Sequence, residues 1–120
     1  MRVVYYANYL IWMEAGRTDF CKSMGFHYKE MEHEGAFLVV AEASCRYRSP
    51  AGYDDPIVVE TRLDRLSRRV IAFGYSIRND ETGRLLAEGT TVHITVGKNQ
   101  KPRSIPERFF ELMKKAAPED

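Results

Sequence analysis

Residues 8–25 read NYLIWMEAGRTDFCKSMG, and residues 37–48 read FLVVAEASCRYR. In the first stretch Tyr9, Trp12, Met13, Gly16, Phe20 and Met24 recur at three- and four-residue spacing, an apolar stripe that predicts a helix over 8–24. Asn8 is placed to cap it, and Gly25 to end it in a left-handed turn. Gly16 falls on the stripe, where a residue that weakens a helix makes sense if the helix must come close to a sheet. In the second stretch the period changes to two. Phe37, Val39, Ala41, Ala43, Cys45 and Tyr47 are predicted on one face, and Glu42, Ser44, Arg46 and Arg48 on the other.

Between these stretches a short helix is predicted over 27–33, ending at Gly35. Beyond them the turn formers of SPAGYDDP, residues 49–56, separate the first strand from a second over 57–66. A third strand is predicted over 69–78, a turn over 79–83, and a fourth strand over 85–96. In the fourth, Val92, Ile94 and Val96 share a face, and Gly89 reads as a bulge. The loop GKNQKPR, residues 97–103, is basic. Ser104 and Glu107 are spaced as a capping box for a terminal helix whose apolar face is Phe109, Leu112, Met113 and Ala116, with Pro106 in its first turn. The expectation is an α+β domain over 1–120: four long strands in meander, forming a long curved antiparallel sheet wrapped around a central helix. The sheet's other face, with the fourth strand's apolar side, is left for water, the terminal helix or a partner subunit.

The 120 residues suffice for one domain with a core. Eighteen Lys and Arg against seventeen Asp and Glu leave a net charge of +1, which provides no field for non-specific nucleic-acid binding. Cys21 and Cys45 make neither a disulfide framework nor a zinc pattern, and both read as buried and inert. No apolar run reaches the eighteen or so residues of a membrane span, and no signal-peptide pattern stands at the start, so a cytoplasmic location is expected. His27, His33 and His93 are too scattered for a metal site, and no Ser-His-Asp arrangement follows from spacing. His93, opposite Val92 and Ile94, is a candidate interface residue.

The run Val3-Val4-Tyr5-Tyr6-Ala7-Asn8-Tyr9-Leu10, followed by Trp12, Glu14, Arg17 and Phe20, resembles the hot-dog-fold acyl-CoA thioesterases of the 4-hydroxybenzoyl-CoA/YbgC type. The likeness continues through Val39-Val40, Cys45-Arg46-Tyr47, Pro50-Ala51, Tyr53-Asp54-Asp55, Arg62-Leu63, Arg68-Arg69, Ala87-Glu88-Gly89 and Lys101-Pro102-Arg103. The resemblance implies hydrolysis of an acyl- or aroyl-CoA thioester, with no cofactor beyond the coenzyme A of the substrate. It also implies a homodimer with sheets paired edge to edge, active sites at that seam, and a possible pairing of dimers into a tetramer. Family members begin with a strand ending in a catalytic Asp. Aligned here, that Asp falls two residues before Met1 and the following Gly becomes Arg2, so an upstream start is expected.

Thioester hydrolysis needs an attacking water or carboxylate and donors for the developing oxyanion. The resemblance assigns the donor to the backbone N–H of Tyr6, at the start of the long helix, where free N–H groups and the helix dipole favour negative charge. Glu14 and Arg17, three apart, predict an intrahelical pair or a contact with a partner subunit, and Glu14 is the remaining acid that could stand near the site. Coenzyme A carries a pyrophosphate and a 3′-phosphate, so convergent cations are expected at the mouth. Arg68 and Arg69, with the Ser67 hydroxyl beside them, match the family's nucleotide-contact position, and Lys101 and Arg103 lie in the loop after the last strand. Two other readings stay open: a binding protein for acyl-CoA or an acyl-carrier-protein thioester, and a hot-dog-fold dehydratase, for which Glu14 lacks a suitably spaced His.

Overall fold

The computed structural model describes residues 7–52 and 54–117. Its elements are α1 (Ala7–Ser23), α2 (Tyr28–His33), β1 (Phe37–Tyr47), β2 (Ile57–Leu66), β3 (Val70–Asn79), β4 (Leu85–Val96) and α3 (Glu107–Lys114). Helix α1 ends as its sequence suggests: Gly25 adopts φ 101°, Phe26 N–H donates to the Cys21 carbonyl at 3.2 Å, and Gly25 N–H donates to that of Lys22 at 3.0 Å. This is a Schellman closure, with Phe26 and Cys21 both buried over it. Asn8 lies inside the first helical turn instead of ahead of it. In α2 the cap is His27, whose Nδ1 accepts from Lys29 N–H at 3.1 Å.

The strands form one antiparallel sheet in the order β1-β4-β3-β2. Only β2, β3 and β4 follow the expected meander; β1 pairs with β4, so the first strand joins the last and β1 and β2 are the edges. Three irregularities reset the alternation of faces. On β1 the register slips at Ala41, between Val40 and Glu42, which puts Phe37 and Val39 on the opposite face from Ala43, Cys45 and Tyr47. On β2 the slip is at Asp64, and on β4 it falls at Leu86 beside the Ile77/Arg78 step. Gly89 is not a bulge. A Cβ there would stand 2.5 Å from Met13 Sδ, so its role is to admit the helix.

α1 crosses the inner face of the sheet obliquely. Tyr9 meets Tyr47 of β1 edge-on at 4.9 Å, Met13 fits over Gly89 of β4, Gly16 presses on Val59 and Thr61 of β2, and Phe20 meets Phe73 of β3 at 6.2 Å. The sheet does not wrap this helix. α1 packs chiefly on β2 and β3; its outward Leu10 and Ile11 are 45% and 60% exposed, and on β1 the inner-face residues Val40 and Tyr47 are about half exposed. Four strands at about 4.8 Å spacing span about 15 Å, whereas half a turn of sheet at about 10 Å from a helix axis needs about 30 Å. The fold is α+β, but an open layer replaces the expected wrap.

α3 closes one end of the inner layer, with Phe109 packed at a tilt against Phe26, ring centroids 5.1 Å apart, and Met113 buried. Its capping box is not made. Pro106 occupies the cap position with no side-chain bond, and Glu107 turns to Arg68 at 2.5 Å. A charged partner across the turn competes better for that carboxylate than the backbone of Ser104 does.

Candidate active site

Tyr6, predicted to supply the oxyanion donor, lies outside the described residues. Helix α1, which would present that donor, is described from Ala7 onward. Glu14 is exposed on its outward side, in a shallow depression with Ile11, Ala15, Thr18 and Asp19. It does not pair with Arg17. That guanidinium turns inward instead, and its Nη1 donates to Tyr75 Oη at 3.2 Å.

Of the cations predicted around the nucleotide, Arg68, Arg69 and Arg103 lie on backbone segments that run side by side at one end of the sheet. Thr95 N–H donates to the Arg69 carbonyl, Arg103 N–H to that of Thr95, and Ile105 N–H to that of Arg68, so the β2–β3 turn and the loop after β4 lie side by side. Their side chains are used differently. Ser67 closes the β2–β3 turn: its Oγ accepts from Val70 N–H at 3.2 Å and stands 3.3 Å from the Val70 carbonyl. Arg68 pairs with Glu107 and lies over the Phe110 ring at 4.2 Å. That bond holds the Glu107 carboxyl below the usual range. Arg103 Nη1 donates to the Glu34 carbonyl at the end of α2, 3.2 Å away, tying loop to helix. Among the described residues no ion pair or hydrogen bond engages the side chains of Arg69 and Lys101, both exposed.

A groove of about 520 Å³ runs between α1 and β2, which is an edge strand among the described residues; it is walled by Trp12, Gly16, Phe20, Val59 and Thr61 with Asp19 at its rim. Among the described residues, none of the sequence-predicted site residues lines it.

The alternation on β4 carried a signal that sequence reading used only in part. Thr91, His93 and Thr95 all sit on the inner face and all are buried. His93 therefore belongs to the core and not to an exposed seam: it is 2% exposed and meets Phe73 edge-on at 5.5 Å. Its Nε2 stands 2.9 Å from Thr91 Oγ1, which stands 2.6 Å from Tyr75 Oη. Burial, reinforced by the nearby positive charge of Arg17, pushes its pKa down to about 4.

With the fold and these groups in place, comparison with known proteins is direct. The family model of the thioesterase-like superfamily matches residues 1–114. The chain belongs to that superfamily. Its relatives include YneP of Bacillus subtilis, named provisionally as an acyl-CoA thioesterase, 37% identical over 110 residues that cover 91% of this chain and 79% of YneP. The acyl-CoA thioester hydrolase YbgC of Escherichia coli is 28% identical over 113 residues, 93% of this chain and 84% of YbgC. Among solved structures, the DHNA-CoA thioesterase of Staphylococcus aureus superposes with a TM-score of 0.85 at 30% identity, covering 95% of this chain and 76% of that one. The superfamily assignment upholds the hot-dog resemblance while the sheet itself corrects the expected wrap.

Proposed function

We propose that this protein hydrolyses an acyl- or aroyl-CoA thioester to the carboxylic acid and free coenzyme A. The observation that carries the reading is the superfamily match over residues 1–114, together with relatives named for this reaction at nearly full coverage. In the reaction a water oxygen adds to the thioester carbonyl carbon, the carbonyl oxygen gains negative charge, and the C–S bond breaks as the sulfur takes a proton. The N-terminal end of α1 suits the oxyanion, and the backbone N–H of Tyr6 is the donor in this reading. The Asp that the resemblance assigns as base has no counterpart within residues 1–120, and Glu14 is the acid within the chain that would act in its place. Arg69 and Lys101 are the cations free to meet the phosphates, whereas Ser67, Arg68 and Arg103 stand beside them in structural bonds.

In this reading the protein works as a homodimer, and whether two dimers pair further into a tetramer is left open. The support is the outer edge of β1, which no other strand pairs with among the described residues, and the exposed Leu10, Ile11 and Val40 near it. Two free thiols agree with a cytoplasmic location.

Release of free thiol from a panel of aryl and aliphatic acyl-CoAs tests the reading. It is run on the 120-residue chain, on a version extended upstream through an Asp-ended strand, and on that version with Asp changed to Asn. Turnover by the extended form, abolished by Asn, supports the reading. Equal turnover by the short chain moves the base to Glu14. Tight coenzyme A binding without turnover in any form overturns hydrolysis in favour of a thioester-binding protein.

A further inference from the structure

Four side chains form a hydrogen-bonded row between α1 and the sheet: Arg17 on α1, Tyr75 on β3, and Thr91 and His93 on β4, at 3.2, 2.6 and 2.9 Å. Tyr75, Thr91 and His93 are buried, and Arg17 is half-buried with no carboxylate within ion-pair distance among the described residues. Their chemistry gives the chain a direction. A guanidinium can only donate, so Tyr75 Oη accepts from Arg17 and has its own hydrogen left for Thr91. Thr91 then has its hydrogen left for His93 Nε2. The ring is neutral at pH 7, and with the Thr91 hydrogen given to Nε2 its proton would sit on Nδ1, which finds no partner among the described residues.

Such a chain is not what stability alone would select. A buried polar network that ends in an unpaired group is worse than an apolar core of the same shape. It does supply direction. Among the described residues, Arg17 to Tyr75 is the only side-chain hydrogen bond from α1 to the sheet; the other contacts, Met13 over Gly89 and Gly16 on Val59 and Thr61 among them, are apolar or steric and set how closely the helix approaches, without a directional bond. The described start of α1 lies ten residues from Arg17, about 15 Å at 1.5 Å per residue, and a rigid helix passes an axial shift to its end undiminished.

We propose that Arg17, Tyr75, Thr91 and His93 form a one-way hydrogen-bond relay that fixes the axial position of α1 and so positions the helix N-terminus for the thioester carbonyl. The four are positioning residues, and this role rests on the hydrolase reading above. A misplacement of about 1 Å at a reacting centre costs about a hundredfold in rate, so a partial loosening is expected to cost about tenfold.

The test uses Tyr75→Phe, Arg17→Met, Arg17→Lys and Thr91→Val in the most active full chain. Tyr75→Phe and Arg17→Met are expected to lower kcat about tenfold with KM within about twofold, Arg17→Met at an unchanged or raised thermal midpoint and Tyr75→Phe with no more than the small drop of a lost hydrogen bond, and Arg17→Lys to recover part of the loss. Nitrogen-15 spectra of labelled histidine, assigned with His93→Gln, should show His93 as the Nδ1–H tautomer alone, and both tautomers in Tyr75→Phe and Thr91→Val. An unchanged kcat, or a loss that follows the thermal midpoint, overturns the positioning role. If no form of the protein turns over any thioester, the hydrolase reading fails separately, and a His93 tautomer indifferent to Tyr75→Phe overturns the relay itself.

Discussion

Gly16 of α1 lies so close to Thr61 of β2 that a Cβ on the glycine would stand 2.6 Å from Thr61 Oγ1 and 2.9 Å from Val59 Cγ1. Both neighbours are β-branched and stiff, so the helix cannot absorb the methyl without moving. Overpacking costs about 1–3 kcal/mol, and Ala returns about 1 kcal/mol of helix propensity over Gly. Gly16→Ala is therefore expected to lower unfolding free energy by up to about 2 kcal/mol in urea melts. Thr61→Ala, which also removes a buried hydroxyl without a partner among the described residues, should cancel most of that loss in the double variant. Additive losses would show that the contact is not the cause.

His93 makes stability fall in acid. Its pKa is about 4 in the folded protein against 6.5 for an ordinary histidine, because burial first and Arg17 second disfavour the imidazolium. Between those values the unfolded chain binds the proton and the folded one does not, so its contribution is intact above about pH 6.5 and is lost as pH falls towards 4. Each pH step of one between the two values is worth about 1.4 kcal/mol, so the whole loss amounts to about 3 kcal/mol. His93→Phe should flatten urea midpoints measured between pH 7 and 4.5; an equally steep decline would assign the acid sensitivity elsewhere.

The two thiols should react at different rates. Burial pushes Cys21 up to about 11 even beside the positive Arg17, and it is 1% exposed. Cys45 is half-buried on β1, and its thiol is raised by burial, with Tyr47 opposing. Iodoacetamide at pH 8 should modify Cys45 slowly and Cys21 only after unfolding, read by mass of the intact protein. Modification of Cys21 in native protein would mean that α1 opens from the sheet.

Local pattern made most elements legible. The stripe from Tyr9 to Met24 placed α1, Gly25 ended it, and the bounds of β2 and β4 follow directly from their alternation. What sequence could not carry was non-local. Pairing of β1 with β4 joins residues some fifty positions apart, and the slip at Ala41 inverts a face without any glycine or proline to mark it. At the site, Arg17 and Glu107 each had a credible partner three residues away, yet took one across the fold, Tyr75 and Arg68. A buried hydroxyl and an opposite charge backed by an aromatic ring outweigh neighbours on an exposed helix, where such pairs contribute only about 0.2–0.5 kcal/mol.

Arg69 and Arg103 should separate binding from stability. Both stand at the end of the sheet where Thr95 links their backbones, but Arg103 bonds the Glu34 carbonyl while Arg69 is exposed with no bonded partner among the described residues. A phosphate-contacting Arg69 acts on the nucleotide alone. Arg69→Ala is then expected to raise KM for acyl-CoA about tenfold with kcat unchanged, and to leave the matching acyl-pantetheine, which lacks the nucleotide, within about twofold. The acyl-CoA effect should shrink as salt rises, since the contact is solvent-exposed. Arg103→Ala should instead lower the unfolding free energy by about 1 kcal/mol, the ordinary cost of a lost hydrogen bond, with α2 loosened from the loop after β4. Equal KM effects of Arg69→Ala on both substrates would move the nucleotide away from this end of the sheet.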